Sequence, residues 1–312
     1  MMYDVIGDIH GYATTLERLL QKLQYRRVDG VYSHPERKAF FLGDFIDRGS
    51  ESRKVVSIVR GMVERGEATA IMGNHEWNAL QFHSRGSDGR PLRAHSEKNI
   101  QQHSATLRSY GCRGLEPSEA LVSDLEWFRT LPLFFEGEGL RAVHATWDTE
   151  QIRQFKRLCP SGIIDQDLLE DSARGGPSYA ITETLLKGAE VDLPAGMTFH
   201  DKDGHPRSSA RVRWWKTGQP ELHRKARDYL FVPPDWDSPE LSLDFLEQLP
   251  SYPSEAPPVF FGHYWMQPPM ELQSHNVCCL DYSVAKNGAL ACYRWNGEAH
   301  LISTALQAIP SQ

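Results

Sequence analysis

Five short blocks of the sequence carry side chains that can bind metal ions. Their ligands are carboxylate, amide and imidazole groups, and no thiolate accompanies them. This donor set suits Mn²⁺, Fe, Zn²⁺ or Ni²⁺, and it contains too much nitrogen for a calcium site. In chain order the blocks are Gly7-Asp8-Ile9-His10-Gly11, Gly43-Asp44-Phe45-Ile46-Asp47-Arg48-Gly49, Gly73-Asn74-His75-Glu76, Val143-His144-Ala145 and Gly262-His263.

Each block taken alone has an ordinary structural explanation. An Asp after a Gly often forms a turn or caps a helix, and a His at the end of a strand is often a hydrogen-bonded structural residue. Their shared setting argues otherwise, because all five blocks follow short apolar runs that are typical of strands. We therefore interpret them together as one metal site.

These apolar runs alternate with amphipathic helical patterns along the first half of the chain, which predicts an α/β fold with helices packed on sheets. Ligands of such sheets bind at the carboxyl ends of the strands, where all five blocks lie. The strands are predicted at residues 3–6, 39–42, 68–72, 140–143 and 259–261, and the helices at residues 12–23, 52–63 and 121–133.

The alternation stops between residues 149 and 257. We interpret this segment as a cap, inserted between the fourth and fifth metal blocks, so that residues 1–312 form a single domain. Beyond the cap, Asn-Gly turns separate the last three of the remaining apolar runs. These runs, at residues 277–282, 289–295 and 299–303, predict a β-meander.

Composition narrows the class of protein. Lys and Arg number 34 against 41 Asp and Glu, a net charge of −7, so we expect neither extended nucleic-acid binding nor an anionic membrane partner. The five cysteines are odd in number and lack CxxC spacing, which argues against a disulfide framework or a zinc knuckle. No apolar stretch reaches about 18 residues and no signal-peptide pattern opens the chain, so we expect a cytoplasmic location.

The blocks GDIHG, GDFIDRG and GNHE, the isolated His144 and the final Gly262-His263 resemble the calcineurin-like metallophosphoesterases. They are most similar to the phosphoprotein phosphatase branch, which holds bacterial protein phosphatases and the symmetrical diadenosine tetraphosphate hydrolases. Arg48 favours that branch, as does Trp265 in place of a second histidine. The resemblance covers residues 2–146 and 258–303. It implies two packed mixed β-sheets flanked by helices, an α/β sandwich with the cap on its active-site face.

The resemblance also implies a ligand set for two divalent cations. Asp44 would bridge the two ions, and Mn²⁺ is the expected metal, with Fe, Zn²⁺ or Ni²⁺ as alternatives. Two such ions lower the pKa of a shared hydroxide and clamp the phosphoryl oxygens for in-line attack. The first ion would be bound by Asp8, His10 and Asp44, and the second by Asp44, Asn74, His144 and His263.

Three further residues of the blocks would carry the catalysis. Arg48 would bind the phosphoryl oxygens beside Asn74, and His75 would be the general acid, oriented by Asp47. The bland alternatives are a loop ion pair for Asp47 and Arg48 and a helix cap for His75. A second phosphate-binding arginine is expected within residues 211–216, where we choose Arg213. The nine histidines outside the blocks lie in polar contexts, and we expect them at the surface.

The function implied is hydrolysis of phosphate esters or anhydrides, in the manner of a Ser/Thr protein phosphatase. A symmetrical diadenosine tetraphosphate hydrolase is the alternative within the same chemistry. A non-catalytic module that binds phosphate or metal is the alternative from a different class. The expected partners are phosphorylated small molecules, nucleotides or phosphoproteins. The sequence contains no Walker-type loop, which argues against ATP as a phosphoryl donor. It also contains no Gly-x-Ser-x-Gly elbow, which argues against a serine hydrolase.

Overall fold

A computed structural model describes residues 1–137, 139–201, 204–216 and 224–311. In chain order its strands are β1 (Met2–Ile6), β2 (Arg26–Val28), β3 (Val31–Ser33), β4 (Arg37–Phe41), β5 (Ala68–Ala70), β6 (Phe134–Gly137), β7 (Leu140–Val143), β8 (Glu190–Asp192), β9 (Phe199–His200), β10 (Pro206–Arg207), β11 (Ser209–Val212), β12 (Leu230–Phe231), β13 (Val259–Phe261), β14 (Val277–Cys279), β15 (Asp281–Tyr282), β16 (Ala289–Trp295) and β17 (Leu306–Pro310).

The helices include the three amphipathic ones that the sequence predicts. They are α1 (Ala13–Lys22), α2 (Ser52–Glu64), α3 (Asn74–His83), α4 (Glu97–Ser109), α5 (Glu119–Phe128), α6 (Thr149–Leu158), α7 (Gln166–Ala173), α8 (Pro177–Lys187), α9 (Ala226–Tyr229) and α10 (Leu243–Glu247), with 3₁₀ turns at Val284–Lys286 and Ser303–Ala305. None of these described helices combines the length and apolar character that crossing a membrane requires.

Two mixed sheets form the centre of the fold. The first has the order β15-β16-β1-β4-β5, with β17 also paired to β16, and the second has the order β14-β13-β7-β6. Strands β1, β4 and β5 run parallel to one another, as do β7, β13 and β14. The carboxyl ends of three strands therefore meet at one edge of each sheet.

Alternating side chains of each strand explain how the sheets pack. Val5 and Phe40 of the first sheet share a buried cluster with Leu140 and Phe260 of the second, whereas Phe41 faces the opposite way, toward the cluster that includes the helices. Side chains of successive strand residues point to opposite faces, so each sheet packs on its partner and on helices at once. This arrangement confirms the predicted α/β sandwich.

The C-terminal β-meander prediction is wrong in two respects. Strands β14 and β15 belong to different sheets, because the chain crosses between the sheets at Leu280, whose N–H donates to Phe261 O. Residues 299–302 form no strand. The N–H of Ile302 donates to the Tyr293 hydroxyl, and the Trp295 indole N–H donates to Glu298 O. Side chains thus satisfy the backbone there, and pairing with β16 resumes only at β17.

The segment 149–257 holds α6 to α10 and two small sheets, β12-β11-β8 and β9-β10. It packs on the centre of the fold through Trp214. The indole N–H donates to Ala145 O at 3.1 Å, and the ring lies 4.8 Å from that of Phe261. Its buried side chains join the same hydrophobic cluster as α1 and α2. A single domain with this segment as its cap stays a prediction.

Candidate dinuclear metal centre

The two sheets bring the five blocks to one place. Strands β1, β4 and β5 of the first sheet lead into Asp8, Asp44 and Asn74, and β7 and β13 of the second lead into His144 and His263. Backbone hydrogen bonds connect the loops that follow these strands. The N–H groups of residues 9 and 10 both donate to Asp44 O, and the Gly262 N–H donates to His144 O. The predicted ligands therefore converge between the sheets.

One group of side chains surrounds His10. Its Nε2 lies 3.5 Å from Asp44 Oδ2 and 4.0 Å from Asp8 Oδ2, which are too long for hydrogen bonds. His10 Nε2 and Asp8 Oδ1 are buried and have no hydrogen-bond partner among the described residues. Buried polar atoms are normally satisfied, so the spacing and the unpaired atoms fit a bound cation.

A second group comprises Asp44, His144 and His263, whose ligand atoms all lie within 4.8 Å of one another. His144 Nε2 is 3.4 Å from Asp44 Oδ1. Asn74 Oδ1 contacts both imidazoles, at 3.1 Å from His144 Nε2 and 2.8 Å from His263 Nδ1. Asp44 thus offers one oxygen to each group, as a bridging carboxylate would.

Backbone carbonyls aim the imidazoles. His144 Nδ1 contacts Leu42 O at 2.8 Å, and His10 Nδ1 contacts Ile46 O at 3.2 Å, which directs each Nε2 toward the carboxylates. Burial, reinforced by the charge of Arg211, lowers the pKa of His263 well below its ordinary value. A neutral imidazole of this kind is the form that binds a metal ion.

The Asp8 carboxylate needs a positive neighbour. Burial, with the charges of Asp281 and Asp44 in support, raises its pKa well above the ordinary value. A divalent cation at this position would compensate the crowded negative charge. The residues present therefore fit the dinuclear metal centre that the family resemblance implies.

The backbone around the ligands is strained. His10, Asp44, Asp47, Arg48 and His263 all have positive φ, between 49° and 70°, which few non-glycine residues adopt. Such conformations cost free energy and tend to cluster at functional sites. One neighbouring glycine is explained by a close approach, because a Cβ at residue 262 would collide with the Asp8 carboxylate.

His75 lies at the first group with its two nitrogens in different roles. Nδ1 contacts Asp47 Oδ2 at 2.6 Å, and Nε2 lies 4.0 Å from Asp44 Oδ2. Burial opposes protonation of His75, but the charge of Asp44 and the hydrogen bond with Asp47 outweigh it and raise the pKa. His75 could also serve as a ligand by position, yet a protonated imidazole suits a general acid.

His103 was not among the predicted site residues, and the prediction of a surface position for it is wrong. His103 is 4% exposed, and its Nδ1 contacts Asp47 Oδ1 at 2.8 Å. Thr106, three residues further along α4, donates to the same oxygen. On the far side, His103 Nε2 lies 3.1 Å from His83 Nε2. In the sequence, the signal for this position is the three-residue spacing of 103 and 106, which places both side chains on the same face of a helix. His223 lies outside the described residues.

Glu76 is a structural residue of the candidate centre. Its carboxylate accepts hydrogen bonds from four backbone N–H groups: those of Gly73 at 3.0 Å, Asp44 at 2.8 Å, Phe45 at 2.8 Å and Ile46 at 3.3 Å. The side chain is fully buried. Glu76 therefore holds the loop that presents Asp44, a contact across about thirty residues that the local pattern did not reveal.

The side-chain contacts observed for Arg213 among the described residues are with Phe231 and with Leu230 O, not with the candidate ligands. Strand β11 ends at Val212, one residue before Arg213, and the Arg213 guanidinium lies 4.0 Å from the centroid of the Phe231 ring. Arg211 is the arginine whose charge acts on His263. Its guanidinium lies 5.8 Å from the Tyr264 ring centroid, and its Nε is buried without a partner among the described residues.

Comparison with known proteins gives the family. The model of the calcineurin-like phosphoesterase family matches residues 1–187. An asymmetrical bis(5′-nucleosyl)-tetraphosphatase PrpE from Geobacillus thermodenitrificans is 45% identical over 145 residues, which cover 46% of this chain and 53% of that protein. The enzyme of the same name from Geobacillus sp. WCH70 is 43% identical over 76 residues, 24% of this chain and 31% of that protein. The chain thus spans about half or less of these relatives' lengths.

Solved structures share the fold at low sequence identity. A protein serine/threonine phosphatase from Saccharomyces cerevisiae has a TM-score of 0.51 and 14% identity, covering 100% of this chain and 80% of that one. A cold-active protein-tyrosine phosphatase from Shewanella has a TM-score of 0.50 and 15% identity over the same shares. The family match spans more than half of the chain and includes four of the five blocks. The chain belongs to the calcineurin-like phosphoesterase family.

Proposed function

We propose that the protein is a metal-dependent phosphoesterase that hydrolyses phosphate esters or anhydrides. The observation that carries this proposal is the convergence of two groups of candidate ligands on Asp44. His10 and His75 belong to one group, His144 and His263 to the other, and the buried Asp47 also holds His75. Metal-assisted hydrolysis of phosphates needs both features, since the ions stabilise the developing charge and an acid protonates the leaving oxygen.

Asp8, His10 and Asp44 would hold one divalent cation, and Asp44, Asn74, His144 and His263 the other. Mn²⁺ is the first ion to test, with Fe, Zn²⁺ and Ni²⁺ as alternatives, because the donors are oxygen and imidazole nitrogen. When bound, the two ions would polarise the phosphoryl oxygens and lower the pKa of the attacking water.

The remaining residues would bind the phosphoryl group and move one proton. Arg48 and Asn74 would donate hydrogen bonds to its oxygens. We transfer the role of the second arginine from Arg213 to Arg211, whose charge acts on His263. His75 would give the proton on Nε2 to the leaving oxygen. Asp47 would keep the imidazole oriented through Nδ1, at the 2.6 Å contact.

The segment 149–257 would act as a cap that selects the substrate, since it supplies Arg211, whose charge acts on His263. Two substrate classes compete: phosphomonoesters, including phosphoproteins, and dinucleoside polyphosphates. The curated relatives favour dinucleoside polyphosphates, because they are named as asymmetrical bis(5′-nucleosyl)-tetraphosphatases. The symmetrical reaction that the motifs suggested remains the alternative.

A substrate panel with Mn²⁺ tests the proposal. It comprises p-nitrophenyl phosphate, a phosphoserine peptide and diadenosine tetraphosphate, with chelator-treated protein as the control. We expect turnover of at least one substrate. Products of the dinucleotide separate the two cleavage modes, because asymmetrical hydrolysis yields ATP and AMP whereas symmetrical hydrolysis yields only ADP. Metal-loaded protein that turns over none of the three would contradict the proposed function.

The non-catalytic alternative is tested by His75→Asn. An enzyme would lose most turnover and keep its metal content, whereas a binding module would retain its affinity for phosphate and metal with no turnover to lose. Metal analysis beside the kinetics separates these outcomes. Asn is chosen because it is neutral and can still contact Asp47 at the Nδ1 position.

A further inference from the structure

An exposed tryptophan stands beside the candidate centre. Trp265 follows the ligand His263 by two residues and is 41% exposed, which is unusual for so large an apolar side chain. Its φ of 48° is left-handed, and its N–H donates to Asp281 Oδ2 at 2.8 Å. A strained, hydrogen-bonded backbone that presents an indole ring to solvent points to a ligand-binding role.

Two cations lie against this ring. The Arg48 guanidinium carbon is 5.0 Å from the ring centroid, and Lys286 Nζ is 3.4 Å from it. Both side chains are exposed. Cation–π contacts attract each charge to the ring without neutralising it. Trp265 thereby keeps two positive charges close together that would otherwise repel each other.

The two segments that carry these residues are held by one carboxylate. Asp281 is 1% exposed, and while its Oδ2 accepts from Trp265 N, its Oδ1 accepts from Ser283 N at 2.9 Å. Ser283 directly precedes the 3₁₀ turn Val284–Lys286, and its own backbone has a left-handed φ of 57°. The position of Lys286 relative to Trp265 is therefore set by the fold, and an anion meets a preorganised pair of cations.

We propose that Trp265 and Lys286 form a second anion subsite, which binds the phosphate next to the one under hydrolysis. This inference rests on the proposed function, in which Arg48 binds the phosphoryl group at the metals. A chain of linked phosphates carries neighbouring negative charges, so it can contact Arg48 and Lys286 together, whereas a monoester reaches only Arg48. The subsite thus favours polyphosphate anhydrides, such as nucleoside polyphosphates, over phosphomonoesters.

The test compares two inorganic probes in protein loaded with Mn²⁺ at a fixed free concentration. Tripolyphosphate occupies both positions and orthophosphate only one. Calorimetric titration measures both affinities without requiring turnover. We expect Lys286→Gln to lower the ratio of tripolyphosphate to orthophosphate affinity about fivefold, the effect of one exposed charge-assisted contact. Trp265→Ala should lower the same ratio, and Trp265→Phe should largely keep it.

Lys156→Gln is the matched control, because Lys156 Nζ also lies over an aromatic ring, 5.4 Å from the centroid of Phe134, away from the metal ligands. It should leave the ratio unchanged. An unchanged ratio in Lys286→Gln, or an equal fall in the control, would overturn the subsite. Failure of the proposed function is seen separately, as a wild-type protein that binds both probes but hydrolyses no substrate of the panel.

Discussion

Asp47 and Arg48 are neighbours in the chain, yet they belong to opposite sides of the site. Asp47 is 2% exposed and joins an inner wall, which we define as Asp47, His75 and His103. Arg48 is exposed and joins an outer rim of Arg48, Trp265 and Lys286. Both residues have positive φ, which turns the chain sharply enough to separate the two side chains.

The inner wall and the outer rim differ in what holds their charges. In the wall, burial opposes ionisation of Asp47, but hydrogen bonds from His103 and His75 lower its pKa below the ordinary value. In the rim, ring contacts hold cations that water still reaches. Removing a partner from a buried group is costly, whereas exposed charges contribute little each. We infer that the wall serves the chemical step and the rim serves the choice of substrate.

The largest effect is expected at Asp44, whose carboxylate is shared by the two groups of candidate metal ligands. Asp44→Asn should reduce kcat by about 10³-fold or more, because the ions supply several kcal/mol of transition-state stabilisation. Metal content and turnover measured together check this. Asp29→Asn, an exposed carboxylate paired with Arg65, should leave both unchanged. Two full equivalents of metal in Asp44→Asn would break the assignment of the bridge.

The next effect sharpens the role of the inner wall. His75→Asn should lower kcat by roughly 10² to 10⁴, the usual contribution of a general acid. The loss should be smaller with p-nitrophenyl phosphate than with an alkyl phosphate, since p-nitrophenolate leaves without needing a proton. Equal losses on both substrates would indicate that His75 acts as a metal ligand instead.

Arg211 and Arg213 form a matched pair two residues apart. Arg211→Gln should lower kcat/KM about 30-fold, in the range of a charge-assisted hydrogen bond to phosphate. Arg213→Gln should change it less than about twofold, because that guanidinium packs on Phe231. Steady-state kinetics on one substrate compares them. The reverse order would restore the choice made from the sequence.

The smallest effect tests His103 as a positioning residue. His103→Ala should lower kcat about tenfold with little change in KM, as expected for loss of one buried hydrogen bond to Asp47. His103→Asn places an amide N–H near the lost Nδ1 and should recover part of kcat. If Ala and Asn variants lose stability equally and kcat stays at the wild-type value, the residue is structural only.

Much of the fold was predictable because its signals are local. The strand that ends in Gly-Asp and the amphipathic helix that follows it form a pattern of ten to twenty residues, and tertiary packing had only to preserve it. The five blocks were found for the same reason. The cap and the C-terminal strands were harder to predict from the sequence. Their short strands are stabilised by pairing with distant segments, and a short sequence contains little information about such pairing. The strand predicted at residues 299–303 does not form, and the side chains of Tyr293 and Trp295 bond to backbone groups of that region instead.

The sequence by itself determined which residue types meet at the candidate metal centre, since strand ends place Asp8, Asp44, Asn74, His144 and His263 at the edges of two sheets. Only the tertiary structure decided what surrounds them. His103 reaches Asp47 from 56 residues away, and Lys286 reaches Trp265 from 21 residues away. A histidine in a polar helix and a lysine in a turn look like surface residues in sequence. The packing of α4 and the carboxylate of Asp281 give them their partners, because burial and orientation arise from contacts between distant segments.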